Sequence, residues 1–309
     1  MSRSRFRIGV LALAAGWMGC RPAETPPPGP AAASTATPAP PALRVKSVAD
    51  DPIAGDAARI AAVRRGAEIF NRTQIHAAGL GTNALACTNC HIDGGQKIGS
   101  LPLVGSERQF PQTSGGKTIT LEDRIARCFT HSLAGKTPPP GSPQLVAVAD
   151  YIRWLGEGLP TGPPPAWLNT AALPVERRIP LKQLNAERGR QQYDRYCSGC
   201  HGLDGQGYRE RRTPLPYDYI PPVWGPRSYD DTAGLARVYT LAGFARHAMP
   251  WDDPGEITDR DAQEIAAFVN GQPRPAFPDK SDWDGTIPED AVYDTKQYSK
   301  NPFFVPLDQ

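Results

Sequence analysis

The chain has 309 residues, of which 39% are hydrophobic and 21% are charged, so it is long enough to form about two domains with separate cores. Its formal net charge of +2 points to no particular partner. We expect no nucleic-acid partner. Composition alone does not indicate a class of function, so the prediction of function depends on the motifs along the chain.

The first twenty residues, MSRSRFRIGVLALAAGWMGC, combine three arginines with an apolar run from Ile8 to Met18. This run is too short to span a bilayer comfortably and is typical of a secretory signal, so we expect residues 1–20 to direct export to the periplasm. Cys20 stands where a bacterial lipoprotein signal places the cysteine that becomes lipidated. We expect a lipid anchor at Cys20 as the membrane attachment, the alternative being ordinary cleavage and a soluble protein. The Pro-rich residues 21–51 should form an extended tether.

Two short motifs, CTNCH and CSGCH, have the spacing of c-type haem attachment sites. Two thiols three residues apart on one helical turn can each bond to a vinyl group of the same haem, and the next residue can direct its imidazole at the iron. A zinc site or a thioredoxin-like pair would not explain a histidine directly after the second cysteine in both copies. The sequence therefore predicts two covalently bound haem c groups, held by Cys87, Cys90 and His91 in the first motif and by Cys197, Cys200 and His201 in the second.

The segments around the two motifs also repeat. RRGAEIFNRT precedes the first motif and ERGRQQYDRY precedes the second, and each has a glycine four residues before an aromatic residue: Gly66 before Phe70, and Gly189 before Tyr193. Residues four apart share a helix face, so each pair offers a gap beside a ring where another helix can cross closely. The crossing helices should be SPQLVAVADYIRWLGEG and TDRDAQEIAAFVNGQ, because both have start signals followed by apolar residues at helical spacing.

This repetition predicts an all-α fold with two class I cytochrome c domains in tandem and few or no strands. We expect domain 1 at residues 52–160 and domain 2 at residues 182–275. A Pro-rich linker, residues 161–181, should join them. Residues 276–309 should form an extended tail, because they are too polar and too interrupted by proline for a third core.

Each haem iron held by a histidine needs a second ligand, or an open site, on its other face. In the second domain, the segment FARHAMPWDD offers His247 and Met249. We favour Met249, because a thioether in a loop closed by Pro250 is the commoner solution and methionine raises the reduction potential. His247 is the alternative ligand.

The first domain has no methionine between its haem motif and Trp154. The corresponding segment, RIARCFTHSLAGK, offers Cys128 and His131 as ligands. Histidine is the ordinary ligand, and Cys128 could be a plain buried thiol. However, an unpaired cysteine in an oxidising compartment is prone to disulfide formation or oxidation, and iron ligation would explain its presence.

The segments TLEDRIARCFTHSLAGKTPPPGSPQLVAVADYIRWL, YIPPVWGPRSYDDTAGLARVYTLAGFARHAMPW and AAFVNGQPRPAFPDKSDW resemble the dihaem thiosulfate dehydrogenases, and the resemblance covers both domains and much of the tail. It implies that Cys128 is the distal thiolate ligand of the first haem and the active-site sulfur. It also implies that Arg124 binds the substrate as a cation and that Ser132 donates a nearby hydrogen bond. The implied reaction oxidises thiosulfate to tetrathionate and passes electrons through the second haem to a small cytochrome c or a terminal oxidase.

The chain departs from the family pattern in two places. Leu133 and Ala134 stand where the family usually has methionine and asparagine. The family also tends to have an arginine shortly after the Phe-Pro pair, where the segment FPQTSGGK has only Lys117. Arg108 or Arg127 would then have to provide that anion contact.

Joining two thiosulfates requires two dianions to meet. At about 5 Å and an effective dielectric constant near 20, their repulsion is roughly 13 kcal/mol before solvent and counter-charges reduce it, so the site needs cations. Arg124 lies four residues before Cys128 on a predicted helix and shares its face, and Arg127 and Lys136 can add to the field. Three alternatives stay open: a dihaem electron carrier without enzymatic activity, a haem-thiolate subunit of a sulfur-oxidising complex, and a tetrathionate reductase.

Overall fold

The computed structural model describes residues 43–114, 116–169, 172–208, 220–277, 290–291 and 303–307, all within one compact unit, Pro40–Gln309. The expected signal peptide, Cys20 and the tether up to residue 42 lie outside the described residues, as does most of the expected tail. The described part of the chain is mainly helical.

The described residues form these α-helices, in chain order: α1 (Ala57–Asn71), α2 (Thr73–His76), α3 (Cys87–Cys90), α4 (Ile92–Gly95), α5 (Leu121–Thr130), α6 (Pro143–Gly156), α7 (Ala186–Tyr196), α8 (Ser198–His201), α9 (Val238–Ala248) and α10 (Asp259–Gly271). Short 3-10 helices cover Ser106–Gln109, Ala166–Asn169, Val175–Arg177, Leu181–Gln183 and Gly234–Ala236. Strands β1 (Gln112–Ser114) and β2 (Lys117–Ile119) pair antiparallel, with Gln112 opposite Ile119. No helix in the described ranges is long and apolar enough to cross a membrane.

The first helical group consists of α1, α5 and α6, with the first haem motif at α3. Helix α1 crosses α6 at Gly66, where an added Cβ would lie 2.0 Å from the carbonyl oxygen of Ala147. Phe70 packs beside the crossing, with its ring centroid 5.3 Å from that of Tyr151. Only a residue without a Cβ lets the two backbones approach this closely, so the predicted crossing of these two helices is confirmed.

The second helical group consists of α7, α9 and α10, with the second haem motif at α8. Helix α7 crosses α10 at Gly189, where an added Cβ would lie 2.0 Å from the carbonyl oxygen of Glu264. The ring centroid of Tyr193 lies 5.5 Å from that of Phe268. Thr258 caps α10, because its hydroxyl accepts a hydrogen bond from the Asp261 backbone N–H at 3.2 Å. The predicted glycine and aromatic pair therefore makes the same kind of crossing in both groups.

Residues 43–51, which the sequence assigned to the tether, pack against the first helical group. The ammonium of Lys46 donates hydrogen bonds to the carbonyl oxygens of Trp154 at 2.7 Å and Glu157 at 2.6 Å. The backbone of Lys46 also exchanges two hydrogen bonds with the side-chain amide of Gln96, at 2.7 and 2.9 Å. This segment is held in place because Lys46 satisfies carbonyl groups that the C-terminal end of α6 leaves open.

The described residues of the tail pack against the second helical group. Phe303 is buried, and its backbone lies against Gly271. The side-chain amide of Gln272 donates a hydrogen bond to the carbonyl oxygen of Val305 at 3.2 Å. These contacts attach the last described residues of the chain to the C-terminal end of α10.

Candidate active site and haem cavities

A first cavity lies between the first haem motif and α5. Its lining includes, from the haem motif, Cys87, Cys90 and His91, and from α5 and the turn that follows it, Arg124, Cys128 and Ser132. The structure therefore brings the residues predicted to attach the first haem and the residues predicted to handle the substrate to one cavity. Much of the remaining lining is apolar.

A second cavity lies at the second haem motif. Its lining includes Cys197, Cys200 and His201 from the motif and Met249 from the segment after α9. The apolar lining of this cavity comes mainly from α9, α10 and the loop at residues 220–223. Cys200 is exposed, so one wall of this cavity reaches the molecular surface.

The two motif histidines are held in matching ways. Nδ1 of His91 lies 2.5 Å from the carbonyl oxygen of Leu101, and Nδ1 of His201 lies 2.9 Å from that of Pro221. Each carbonyl fixes the tautomer that leaves Nε2 as the lone-pair donor. Burial lowers the pKa of the His91 imidazole to about 4 and also lowers the pKa of His201, so both rings are neutral at ordinary pH. A neutral imidazole with one nitrogen already bonded is the form that binds iron.

The donor set of each cavity fits a haem c group. None of the five described cysteines forms a disulfide. Burial raises the pKa of the thiols of Cys87, Cys90 and Cys197 to about 12, so they stay protonated at neutral pH and are not activated for disulfide exchange. Two free thiols and one oriented, neutral imidazole around an apolar space match the requirements of covalent haem attachment.

Helix α5 places Arg124 beside Cys128. The helix begins with a capping box: the Thr120 hydroxyl accepts from the Asp123 backbone N–H at 3.1 Å, and the Asp123 carboxylate accepts from the Thr120 N–H at 2.9 Å. One helical turn later, Nη1 of Arg124 lies 3.3 Å from Sγ of Cys128. Arg124 is exposed and Cys128 is half-buried, so a solvent-accessible cation lies next to a sulfur that lines the cavity.

The turn after α5 places Ser132 at the wall of the first cavity. Within this turn the Leu133 N–H donates to the carbonyl oxygen of Cys128 at 3.0 Å. Ala134 has a φ of +46°, in the left-handed region that residues with a Cβ seldom adopt. Asparagine, which the family pattern usually has here, tolerates this conformation better. The departure at Ala134 therefore carries a backbone cost.

His131, the alternative ligand in this segment, faces away from the first cavity. Its Nδ1 lies 2.6 Å from the Thr232 hydroxyl oxygen, and its ring centroid lies 4.5 Å from that of Phe277. Both contacts are made with residues beyond the second haem motif. Between the two ligands that the sequence left open, Cys128 is the one that lines the first cavity.

The segment after α9 separates the two alternatives for the second cavity in the same way. Met249 lines the cavity, whereas His247 is exposed and does not line it. The Cβ of His247 lies 2.8 Å from the position that a Cβ on Gly99 would take. Of the two predicted ligands, Met249 is the one that lines this cavity.

The other predicted cations lie outside the first cavity. The guanidinium of Arg108 donates to backbone carbonyls at residues 159–160, at 3.3 and 2.8 Å, which occupies it elsewhere. None of the other three predicted cations lines the cavity as the structure describes it: Arg127, Lys117 and Lys136. Among the described lining residues, Arg124 is the one arginine or lysine.

Two features near these cavities were not predicted from the sequence. The Ser106 hydroxyl is buried in the wall of the first cavity, and no motif marks it. The ammonium of Lys97 lies 4.7 Å from the ring centroid of Trp251, two residues after Met249. The second feature joins residues far apart in the chain, so no local pattern could have indicated it.

The two cavities share part of their walls. Leu85 and Cys90 line both cavities. The residues of the second haem motif that line the second cavity do not line the first. Tyr229 lines the second cavity and packs with the guanidinium of Arg274, 4.4 Å from its ring centroid. The second cysteine of the first motif therefore marks the place where the two cavities meet.

Comparison with family models gives a match over residues 184–269 to the family described as cytochrome C oxidase, cbb3-type, subunit III. The matched range contains the second haem motif and Met249. This match identifies the second helical group as a cytochrome c domain.

Curated relatives match a longer part of the chain. The chain is 37% identical over 201 residues to the thiosulfate dehydrogenase of Allochromatium vinosum, covering 63% of this chain and 72% of that protein. It is 35% identical over 219 residues to the thiosulfate dehydrogenase of Stutzerimonas stutzeri, covering 70% of this chain and 68% of that protein.

A solved structure is similar as well. The thiosulfate dehydrogenase TsdBA from Marichromatium purpuratum, in its as-isolated form, matches with a TM-score of 0.65 and 28% sequence identity. The match covers 84% of this chain and 54% of that one, so this chain spans about half the length of the solved chain. With the curated relatives and two cavities whose donors fit haem c, this chain belongs to the thiosulfate dehydrogenase family, a family of c-type cytochrome oxidoreductases.

Proposed function

We propose that this chain is a dihaem c-type cytochrome that oxidises two thiosulfate ions to one tetrathionate ion and releases two electrons. The observation that carries the proposal is the 3.3 Å contact between Nη1 of Arg124 and Sγ of Cys128, in the cavity that also contains the first haem motif. Relatives named thiosulfate dehydrogenase support it. The electrons pass to an external acceptor, a small cytochrome c or a terminal oxidase.

The two helical groups are the two cytochrome c domains in tandem, domain 1 at residues 52–160 and domain 2 at residues 182–275. The repeated helix crossing at Gly66 and Gly189 and the matching histidine contacts support this division. Each domain binds one haem c through its two motif cysteines. His91 and His201 are the proximal iron ligands.

Cys128 is the distal ligand of the first haem and the sulfur of the active site. Its position in the wall shared with the motif residues supports this role, as does the orientation of His131 toward Thr232. When bound, the haem supplies an acceptor for electrons that leave the sulfur atoms of the substrate. The protein supplies the place where those sulfur atoms meet.

Arg124 offsets the charge of the substrate at that place. A guanidinium can form two parallel hydrogen bonds to sulfonate oxygens, and its positive charge reduces the repulsion between two dianions. Because Arg124 is the one arginine or lysine among the described lining residues, a large share of this stabilisation falls on it. Ser132, in the same wall, donates a further hydrogen bond to the substrate.

Met249 is the distal ligand of the second haem, and electrons leave the protein from that haem. Methionine ligation raises the reduction potential relative to thiolate ligation, so electrons move from domain 1 to domain 2. The exposed Cys200 supports an exit at this end of the second cavity, because it marks where the cavity wall reaches the surface.

The test is thiosulfate oxidation by the purified holoprotein, with haem content measured first. We expect two covalent haems per chain and conversion of thiosulfate to tetrathionate with a dye or cytochrome acceptor. Cys128→Ala should abolish turnover and remove the thiolate signature from the ferric electron resonance spectrum, leaving the second haem unchanged. Retained turnover in Cys128→Ala would favour the electron-carrier function, and faster tetrathionate reduction than thiosulfate oxidation would favour the reductase.

Arg124→Ala tests the substrate contact separately. Loss of a charge-assisted hydrogen bond to an anion should raise the KM for thiosulfate about tenfold or more while both haem spectra stay unchanged. The control is Arg65→Ala, since Arg65 is an exposed arginine of α1 that bonds to Glu68 and does not line the cavity. If both substitutions raise the KM for thiosulfate equally, the proposed contact between Arg124 and the substrate is wrong.

The chain is exported to the periplasm and is held at the membrane by a lipid on Cys20. This proposal rests on the sequence of the first twenty residues. Cys20→Ala should release the protein from the membrane fraction into the periplasmic extract. Wild-type protein already fully present in that extract would contradict lipidation.

A further inference from the structure

The Ser106 side chain is buried in the wall of the first cavity without a hydrogen-bond partner. Ser106 is 4% exposed, and its Oγ has no partner among the described residues. Its backbone N–H donates to the carbonyl oxygen of Leu103 at 2.9 Å, so of the two donors of Ser106 the hydroxyl is the one without a partner. A buried hydroxyl without a hydrogen-bond partner destabilises the folded protein. Such a group in a cavity wall points to a partner on the molecule that fills the cavity.

Contacts on both sides of Ser106 hold its backbone at this wall. Gly105 has a φ of +83°, and a Cβ on it would lie 2.8 Å from Cγ of Pro165. On the other side, the Arg108 guanidinium bonds to the backbone carbonyls at residues 159–160. Packing and hydrogen bonds therefore hold the turn on both sides of Ser106.

The polar lining of the first cavity selects for an anion. Among its described lining residues none is Asp or Glu, and those with side-chain donors outside the haem motif are Ser106, Gln109, Arg124 and Ser132. A cavity with one guanidinium and no carboxylate favours negatively charged oxygens over neutral or cationic groups. A serine hydroxyl in such a cavity acts as a donor.

We propose that Ser106 donates a hydrogen bond to an anionic oxygen of the molecule bound in the first cavity. This inference rests on the proposed function, and two sources supply that chemistry: a carboxylate of the haem, or the sulfonate of thiosulfate. In either case Ser106 extends the anion site beyond Arg124 and Ser132. Neutral donors of this kind hold an anion in place without adding a second cation close to the iron.

The experiment compares Ser106→Ala with Ser142→Ala in the holoprotein. Ser142 is the matched control, because its Oγ is also buried without a partner but does not line the cavity. Three measurements are made on each: the resonance Raman bending modes of the haem carboxylates, the KM for thiosulfate, and the melting temperature. Removing a hydroxyl that lacks a partner in the holoprotein should leave the melting temperature unchanged or raise it, whereas losing a hydrogen bond to the bound molecule should lower it.

A change in the carboxylate modes of the first haem in Ser106→Ala would assign the haem as the source. A KM raised about tenfold with unchanged Raman modes would assign thiosulfate. A Ser106→Ala variant that matches Ser142→Ala in all three measurements overturns the proposal. The Raman and melting measurements need no turnover, so they still decide the role of Ser106 if the wild-type protein does not oxidise thiosulfate.

Discussion

The imidazole Nδ1 of His131 lies 2.6 Å from the hydroxyl oxygen of Thr232, which joins the end of α5 to a segment of the second helical group. The backbone continues this connection, because the Asp230 N–H donates to the carbonyl oxygen of His131 at 3.2 Å. The residue three positions after Cys128 therefore belongs to the contact between the two groups. Its effect on the site is to hold the end of the helix that carries Cys128.

His131→Ala should lower the free energy of unfolding by about 1–3 kcal/mol, because it removes a buried imidazole together with its hydrogen bond to the Thr232 hydroxyl. It should leave the ligand signature of the first haem in place. Denaturant unfolding and ferric electron resonance spectra check the two halves of the prediction. A changed first-haem spectrum with unchanged stability would instead indicate that His131 is a ligand.

Gly66→Ala should destabilise the first helical group, because the new Cβ would lie 2.0 Å from the carbonyl oxygen of Ala147. Overpacking of this kind costs about 1–3 kcal/mol, and Gly189→Ala should cost a similar amount in the second group. Thermal unfolding followed by circular dichroism measures both. Gly162→Ala is the control, since a Cβ at Gly162 meets no atom within 4 Å. Equal melting temperatures for the three variants would contradict the close helix crossings.

Ala134→Gly should stabilise the protein by about 1 kcal/mol, because a left-handed backbone costs that much more for alanine than for glycine. Ala134→Asn should also stabilise the protein. The opposite sign is expected for Ala61→Gly, which places a glycine at an exposed position inside α1 and should cost about 1 kcal/mol. Chemical denaturation compares the three, and destabilisation by both Ala134 substitutions would show that the turn does not keep a positive φ.

Lys97→Met should lower the midpoint potential of the second haem. The Lys97 ammonium lies over Trp251, which lines the second cavity, and a nearby positive charge favours the reduced form. At a high effective dielectric constant the contribution is below about 1 kcal/mol, a shift of a few tens of millivolts. Lys97→Arg keeps the charge and should keep the potential. Redox titration of the two variants measures the difference, and an identical fall in both would assign the effect to packing.

The Asp259 carboxyl makes the stability of the folded protein depend on pH. Burial alone raises the pKa of this carboxyl, but its bonds to Arg177 at 2.6 Å and Arg246 at 3.2 Å outweigh burial and hold the pKa below its ordinary value. A lowered pKa in the folded state stabilises the protein above the unfolded pKa, near 4, and this stabilisation is lost as pH falls through the folded value.

Asp259→Asn should therefore lower the melting temperature at pH 7 and should lose less stability than the wild type between pH 5 and pH 3, values chosen to bracket the unfolded pKa. The control is Asp253→Asn, an exposed carboxylate that makes neither arginine contact. If the melting temperatures of wild type and Asp259→Asn fall in parallel as the pH is lowered, the pKa of Asp259 is not the source of the acid dependence.

Local chemistry explains which parts of the fold could be predicted from the sequence. The capping box of Thr120 and Asp123, and the cap of α10 at Thr258, depend on residues three apart, so the sequence contains all the needed information. The spacing of Gly66 and Phe70 likewise indicates a close crossing on one helix face. The tether was predicted from composition, which does not show that Lys46 bonds to the end of α6.

In the candidate site, too, some residues could be predicted from the local sequence and others depend on distant parts of the chain. Cys128 and Met249 were predicted from the residues available near each motif, and they line the cavities, while their iron ligation stays a prediction. The orientation of His131 could not be predicted, because it depends on Thr232, about a hundred residues later. The role of Ser106 had no sequence signal at all, since an isolated serine becomes informative only when its burial is known.

The wall that Cys90 contributes to both cavities has a consequence for the timing of the reaction. In the reaction proposed above, each tetrathionate formed releases two electrons, whereas one haem iron stores one. With one haem in each domain, as we propose, the chain could store both electrons of a turnover before any acceptor protein collides with it. The sulfur–sulfur bond can then be completed without a half-oxidised radical waiting for that collision. Catalysis at low acceptor concentration would be limited by discharge of the protein and not by the chemistry at sulfur.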